Sequence, residues 1–162
     1  MPGVKRLLAP LALVVIVAVA LIATAGGGQE PGTVPDLTIP VLDGGEFELA
    51  GLADADKPTL LWFWAPWCSV CNAEAEKIEQ LARQLDVVAI GGRDDDANGP
   101  AFVERHGLRT PTVLFDESMA SWEHYRIPGQ PGAILLDADG VERERWHGAF
   151  DTRLALDAAR KL

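Results

Sequence analysis

The stretch that most constrains this chain is the apolar run Thr59-Leu60-Leu61-Trp62-Phe63-Trp64-Ala65, which leads through Pro66 and Trp67 into Cys68-Ser69-Val70-Cys71. A short uncharged run opened by Pro58 reads as a strand buried on both faces. From Ser69 the period changes. Ile78, Leu81, Ala82 and Leu85 recur at helical spacing, with Glu76, Lys77, Glu79, Gln80 and Arg83 between them, so the pattern predicts a helix over Ser69–Leu85. The chain's two cysteines stand where the strand hands over to the helix.

Other segments extend the α/β pattern. Leu37–Leu42 and Glu46–Leu49 flank Asp43-Gly44-Gly45 and read as a hairpin. Gly51–Asp56 reads as a connecting helical turn. Val87–Gly91, Val113–Phe115, Gly132–Leu136 and Val141–Trp146 read as strands, the last two joined by the turn Asp137-Ala138-Asp139-Gly140. Arg93–Pro100 reads as a polar loop, and Ala101–His106 as a helix ended by Gly107. Ser118–Tyr125 reads as a helix capped by Ser118, with Met119 and Tyr125 as packing residues. Asp151 caps a last helix whose Leu154, Ala158 and Leu162 share a face. Strands separated by helices are expected to pair parallel, and the two strands around Asp139-Gly140 antiparallel.

The first residues carry a different signal. Met1–Arg6 is short and basic, and Leu7–Ala25 runs without a charge. An uncleaved membrane anchor and a signal peptide cleaved after Ala23-Thr24-Ala25 both fit residues 1–25. Residues 26–33 read as a linker and 34–162 as the folded domain. Either export reading puts the domain outside the cytoplasm, with Lys5 and Arg6 inside. The formal net charge of the chain is −10, and −12 without residues 1–25. Such a surface repels nucleic acid, so a nucleic-acid partner is not expected.

Two cysteines three positions apart in an exported chain do not make a structural disulfide framework. They suit a dithiol–disulfide couple. A helix N-terminus presents unsatisfied N–H groups and a partial positive charge, which stabilise a thiolate. Cys68, expected to be accessible, is the candidate nucleophile. Cys71, one turn further and more buried, is the candidate resolving thiol.

Trp64-Ala65-Pro66-Trp67-Cys68-Ser69-Val70-Cys71, with Asn72-Ala73-Glu74, Tyr125-Arg126-Ile127-Pro128-Gly129-Gln130-Pro131 and Leu136-Asp137-Ala138-Asp139-Gly140, resembles the thioredoxin-like TlpA/ResA/DsbE group. Within it the match leans to exported DsbE-like oxidoreductases of actinobacteria. The resemblance spans about Val34–Leu162 and implies a thioredoxin fold, a central mixed sheet flanked by helices, here with an extra N-terminal hairpin. It implies a redox-active Cys68–Cys71 disulfide and a cis Pro131 facing it, with Gln130 offering its backbone to the substrate; Pro111 is the rival proline. Trp67 would shape the substrate surface. Glu74 and Pro66 would tune the thiols. Thioredoxin and DsbA carry a buried acid six residues before the first cysteine; here Trp62 stands there, and Trp62 and Trp64 read as core aromatics.

The implied function is extracytoplasmic thiol–disulfide exchange, forming disulfides in exported proteins. Its partners would be exported thiols and disulfides and a membrane redox protein, either a quinone-linked oxidase or a thiol-transferring protein. The rival direction is a reductase that keeps apocytochrome c or other exported thiols reduced. The rival class is a copper-delivery protein on the same fold. No cofactor or metal is expected. His106, His124 and His147 are scattered, Asn72 replaces the histidine that covalent haem needs, and Asp94-Asp95-Asp96 lacks calcium-ligand spacing.

Overall fold

The computed structural model describes residues 32–94 and 98–162. The leader, residues 26–31 of the linker, and Asp95 and Asp96 lie outside the described residues. The elements are β1 (Thr38–Pro40), β2 (Glu46–Glu48), a 3-10 segment (Leu49–Asp54), β3 (Thr59–Trp64), α1 (Ser69–Ala82) and β4 (Asp86–Gly91). α2 (Asn98–His106), β5 (Thr112–Phe115), α3 (Ala120–His124), β6 (Gly132–Leu136), β7 (Glu142–His147) and α4 (Thr152–Ala159) follow. β1 and β2 form the expected N-terminal antiparallel hairpin, with Ile39 opposite Phe47.

The five remaining strands make one mixed sheet in the order β5-β4-β3-β6-β7. β3 lies at its centre and all of its residues are buried. Strand alternation sends Leu60, Trp62 and Trp64 to the face packed by Cys71, Ala75, Ile78 and Leu81 of α1, Phe102 of α2, and Ala155 and Ala159 of α4. Leu61 and Phe63 pack the opposite face, with Ile39, Leu49, Trp122 and Tyr125. The architecture is a thioredoxin fold.

One pairing departs from the sequence expectation, and it builds the site. β3, β4 and β5 are parallel, but β6 runs antiparallel to β3 although a helix precedes it. α3 has only five residues. At about 1.5 Å per residue it cannot carry the chain back along the sheet, so β6 starts at the end where β5 stops. Gly132 therefore sits opposite Phe63, and Pro131 arrives beside the end of β3. β7 returns antiparallel to β6, as expected.

Three smaller expectations are corrected. α2 begins at Asn98, not Ala101. Pro100 falls in its first turn, where a backbone N–H has no helical partner to lose. Ser118 is not the N-cap of α3; that position is Met119, in the left-handed region at φ 62°. Capping is shared: the Ser118 hydroxyl accepts the Ala120 N–H at 3.2 Å, and buried Asp116 accepts the Ser121 N–H at 2.8 Å and the Ser121 hydroxyl. In α4 the buried face is Ala155 and Ala159, while Leu154 and Leu162 are exposed. Ala155 and Ala159, with Leu156 and Ala158 half-buried beside them, pack α4 onto the core.

Candidate active site

β3 delivers its last residue, Trp64, to a tight turn, and α1 starts at Ser69. Cys68 occupies the N-cap with extended backbone angles. Its Sγ accepts the Cys71 backbone N–H at 3.1 Å, so the sulfur takes the place of a capping oxygen. Cys68 and Cys71 are joined as a disulfide with Cα atoms 5.2 Å apart. Cys71 is fully buried, while Cys68 keeps 6% exposure. Cys68 is thus less open than the sequence suggests, because in the oxidised pair its sulfur turns back over the helix end. It remains the more exposed of the two.

Neighbouring residues hold this turn. The Asn72 amide donates to the carbonyls of Cys68 at 2.7 Å and Pro66 at 3.2 Å. The Asn72 Oδ1 is then left as acceptor for His106 Nε2, at 2.8 Å. His106 also packs on Phe102, and burial, with Arg105 nearby, holds its pKa below the ordinary histidine value. Neither residue's part in this buttress is visible in the sequence, since the contact joins α1 to α2 across 34 positions.

Glu74 lies one turn beyond Cys71 on the same helix face and is 4% exposed, not solvated. Its Oε1 accepts the Phe150 backbone N–H at 2.9 Å, whereas Oε2 is buried without a hydrogen-bond partner. Burial pushes its carboxyl pKa up; the Phe150 N–H, the Trp62 indole and Lys77 oppose this only in part. The Trp62 N–H faces the carboxyl without reaching hydrogen-bonding geometry, and it too lacks a partner. A buried acid therefore stands behind the cysteines, supplied by α1 rather than β3.

Gln130–Pro131 is the cis peptide bond among the described residues; Pro111 is not cis. The Pro131 carbonyl accepts the Gly148 N–H at 2.8 Å, which ties this loop to the end of β7. Gln130 Oε1 is buried and unpartnered. On the outer side Trp67 is 59% exposed and Val70 39% exposed. Asp137 behaves as the turn residue expected, accepting the N–H groups of Asp139 and Val141.

A capped Cys-x-x-Cys at the mouth of a helix, with a cis-proline loop reaching the same end of this sheet, defines a thioredoxin-fold thiol–disulfide oxidoreductase. The chain belongs to the AhpC/TSA family, which it matches over residues 32–145. It is 35% identical over 136 residues to the soluble secreted antigen MPT53 of Mycobacterium tuberculosis, covering 79% of this chain and 77% of that protein. It is 30% identical over 164 residues to the thiol:disulfide interchange protein DsbE of Escherichia coli K12, covering 93% and 89%. Among solved structures it superposes on a secreted M. tuberculosis disulfide oxidoreductase homologous to E. coli DsbE with a TM-score of 0.69 at 32% identity, covering 78% of this chain and 96% of that one. M. tuberculosis DsbF gives 0.71 at 28% identity, covering 80% and 98%. Among the described residues no helix is long and apolar enough to cross a membrane.

Proposed function

We propose that this chain works outside the cytoplasm and forms disulfides in exported proteins, with Cys68 as the exchanging sulfur and Cys71 as its partner. The observation that carries the direction is the Cys71 N–H aimed at Cys68 Sγ at a helix start. That donor and the helix dipole favour a thiolate on Cys68 and so favour the reduced enzyme, which makes the disulfide an oxidant. A substrate thiolate attacks Cys68 Sγ. The Cys68–Cys71 bond breaks and Cys71 leaves as a thiolate, while the substrate is held as a mixed disulfide. A second substrate thiolate then attacks the substrate sulfur, releasing Cys68 as a thiolate. The substrate loses two electrons, which the dithiol keeps until a membrane partner, a quinone-linked oxidase by chemistry, removes them.

The remaining residues take supporting roles in this reading. Gln130 and the cis Pro131 orient the substrate backbone, and Trp67 offers apolar surface beside Cys68. Pro66 shapes the turn. Glu74 takes up or returns the proton of Cys71, as its buried carboxyl and raised pKa suit it to do. Support for the extracytoplasmic setting comes from the secreted relatives and from the leader pattern.

Glu74 also favours a second reading. An ionised carboxylate beside Cys71 disfavours thiolates and so favours the disulfide, which would make the dithiol a reductant of exported thiols such as apocytochrome c. In that case a thiol-transferring membrane protein would recharge it. The two are separated by equilibrating the domain with glutathione redox buffers. A reduction potential well above the roughly −270 mV of thioredoxin is expected. A potential at or below that value would establish the reductive reading instead.

A further inference from the structure

Three loops converge at the end of the sheet around Cys68: the turn from β3 to α1, the loop after β4, and the segment that precedes β6. Arg93, in the second of these, touches the other two. Its carbonyl accepts the Trp67 indole N–H at 3.0 Å. Its guanidinium donates from Nη2 to the Pro128 carbonyl at 3.0 Å, two residues before Gln130. Its own N–H donates to Met119 Sδ at 3.3 Å, and its Cζ lies 5.3 Å from the centroid of the Trp122 ring.

The backbone is arranged for this span. Arg93 adopts φ 60°, in the left-handed region that side-chain-bearing residues seldom occupy. The residue before it must be glycine. A Cβ at Gly92 would lie 2.8 Å from Trp122 Nε1 and 2.9 Å from Met119 Sδ. The loop is thus pressed onto α3 and its N-cap, and the guanidinium, over the face of Trp122 and bonded to Pro128, is held ready before any ligand arrives.

We propose that Arg93 is a specificity-determining positioning residue that joins the Trp67 wall of the site to the Pro128–Pro131 wall and so sets the groove in which an extended, cysteine-bearing polypeptide segment lies. This rests on the reading above that substrate passes between Trp67 and Gln130–Pro131. A small thiol needs only the sulfur of Cys68. A polypeptide needs both walls at a fixed separation, and a clamp ordered in advance spares it the cost of ordering them.

The test uses Arg93→Gly, since glycine adopts φ 60° freely and keeps the carbonyl that holds Trp67 while removing the side chain that reaches Pro128 and Trp122. Arg93→Asn, which also tolerates this region, serves as the second variant should the first fold poorly. The oxidised enzymes are assayed with dithiothreitol and with a reduced, unfolded small secretory protein. KM for the protein is expected to rise about three- to tenfold, the net effect of one ordinary hydrogen bond. The kcat, the rate with dithiothreitol and the reduction potential are expected to stay at their wild-type values. An unchanged KM for the protein, or an equal loss toward both substrates, overturns the assignment of Arg93. A wild-type enzyme unable to oxidise even dithiothreitol overturns the underlying reading of the site as well.

Discussion

Glu74 Oε1 accepts the backbone N–H of Phe150 across 76 positions of sequence, and this bond fixes the carboxyl of α1 against the segment that leads into α4. The second oxygen, Oε2, is buried and unpaired. A fold that only needed to bury a side chain here would use an apolar one, because an unsatisfied buried oxygen destabilises it.

Burial raises the pKa of Glu74, so the folded protein prefers the protonated acid. Its contribution to stability is fully present below the ordinary value of 4.5 and is lost as pH rises through the raised pKa. Relative to Glu74→Gln, which has no charge to bury, the wild type is expected to lose stability over that rise. Urea unfolding of both proteins from pH 4 to pH 8 checks this; a constant difference would contradict it. In the same variant, under the proposed tuning of Cys71 by the Glu74 carboxylate, the pH profile of exchange is expected to shift to lower pH.

Glu79 behaves in the opposite way. Its Oε2 accepts the N–H groups of Arg109 at 2.8 Å and Thr110 at 3.0 Å, and its Oε1 accepts the Thr110 hydroxyl at 2.6 Å. Burial alone would raise its pKa, but these donors, with Arg83, more than offset it and hold the carboxyl below 4.5. The stabilisation is therefore present above 4.5 and lost as pH falls through the depressed pKa. Glu79→Gln is expected to cost about 1–2 kcal/mol at pH 7, a modest figure because the carboxylate lies just under the surface. The deficit should shrink toward acid pH in the same unfolding assay.

Asn72 holds two carbonyls of the active-site turn and is itself held by His106. Asn72→Ala is expected to cost about 1–2 kcal/mol in urea unfolding. It should also loosen the Pro66–Cys68 turn, seen as faster amide hydrogen exchange at Cys68 and Ser69. Stability equal to the wild type would remove Asn72 from the buttress.

The parts of the fold legible in the sequence are those written locally. The uncharged run Thr59–Ala65 became the central strand, Cys68 and Cys71, three positions apart, fell on a helix start, and Asp43-Gly44-Gly45 and Asp139-Gly140 turned as their types demand. What escaped depends on distance. The length of α3 decides the direction of β6, and no pattern within β6 reveals it. Ser118 reads as a cap by type, and its hydroxyl does accept the Ala120 N–H at 3.2 Å, but from one position outside the N-cap, while Asp116 takes the Ser121 N–H. The contacts of Arg93, Asn72 and His106 emerge only once β4 and α2 are set beside the active-site turn.

The thiolate of Cys68 is the claim on which the chemistry rests, and its alkylation rate with iodoacetamide as a function of pH measures it directly. With the Cys71 N–H aimed at its sulfur at the start of α1, Cys68 in the reduced domain should titrate well below the roughly 8.5 of a free cysteine. Half-maximal reactivity at or above about 8.5 would contradict the account.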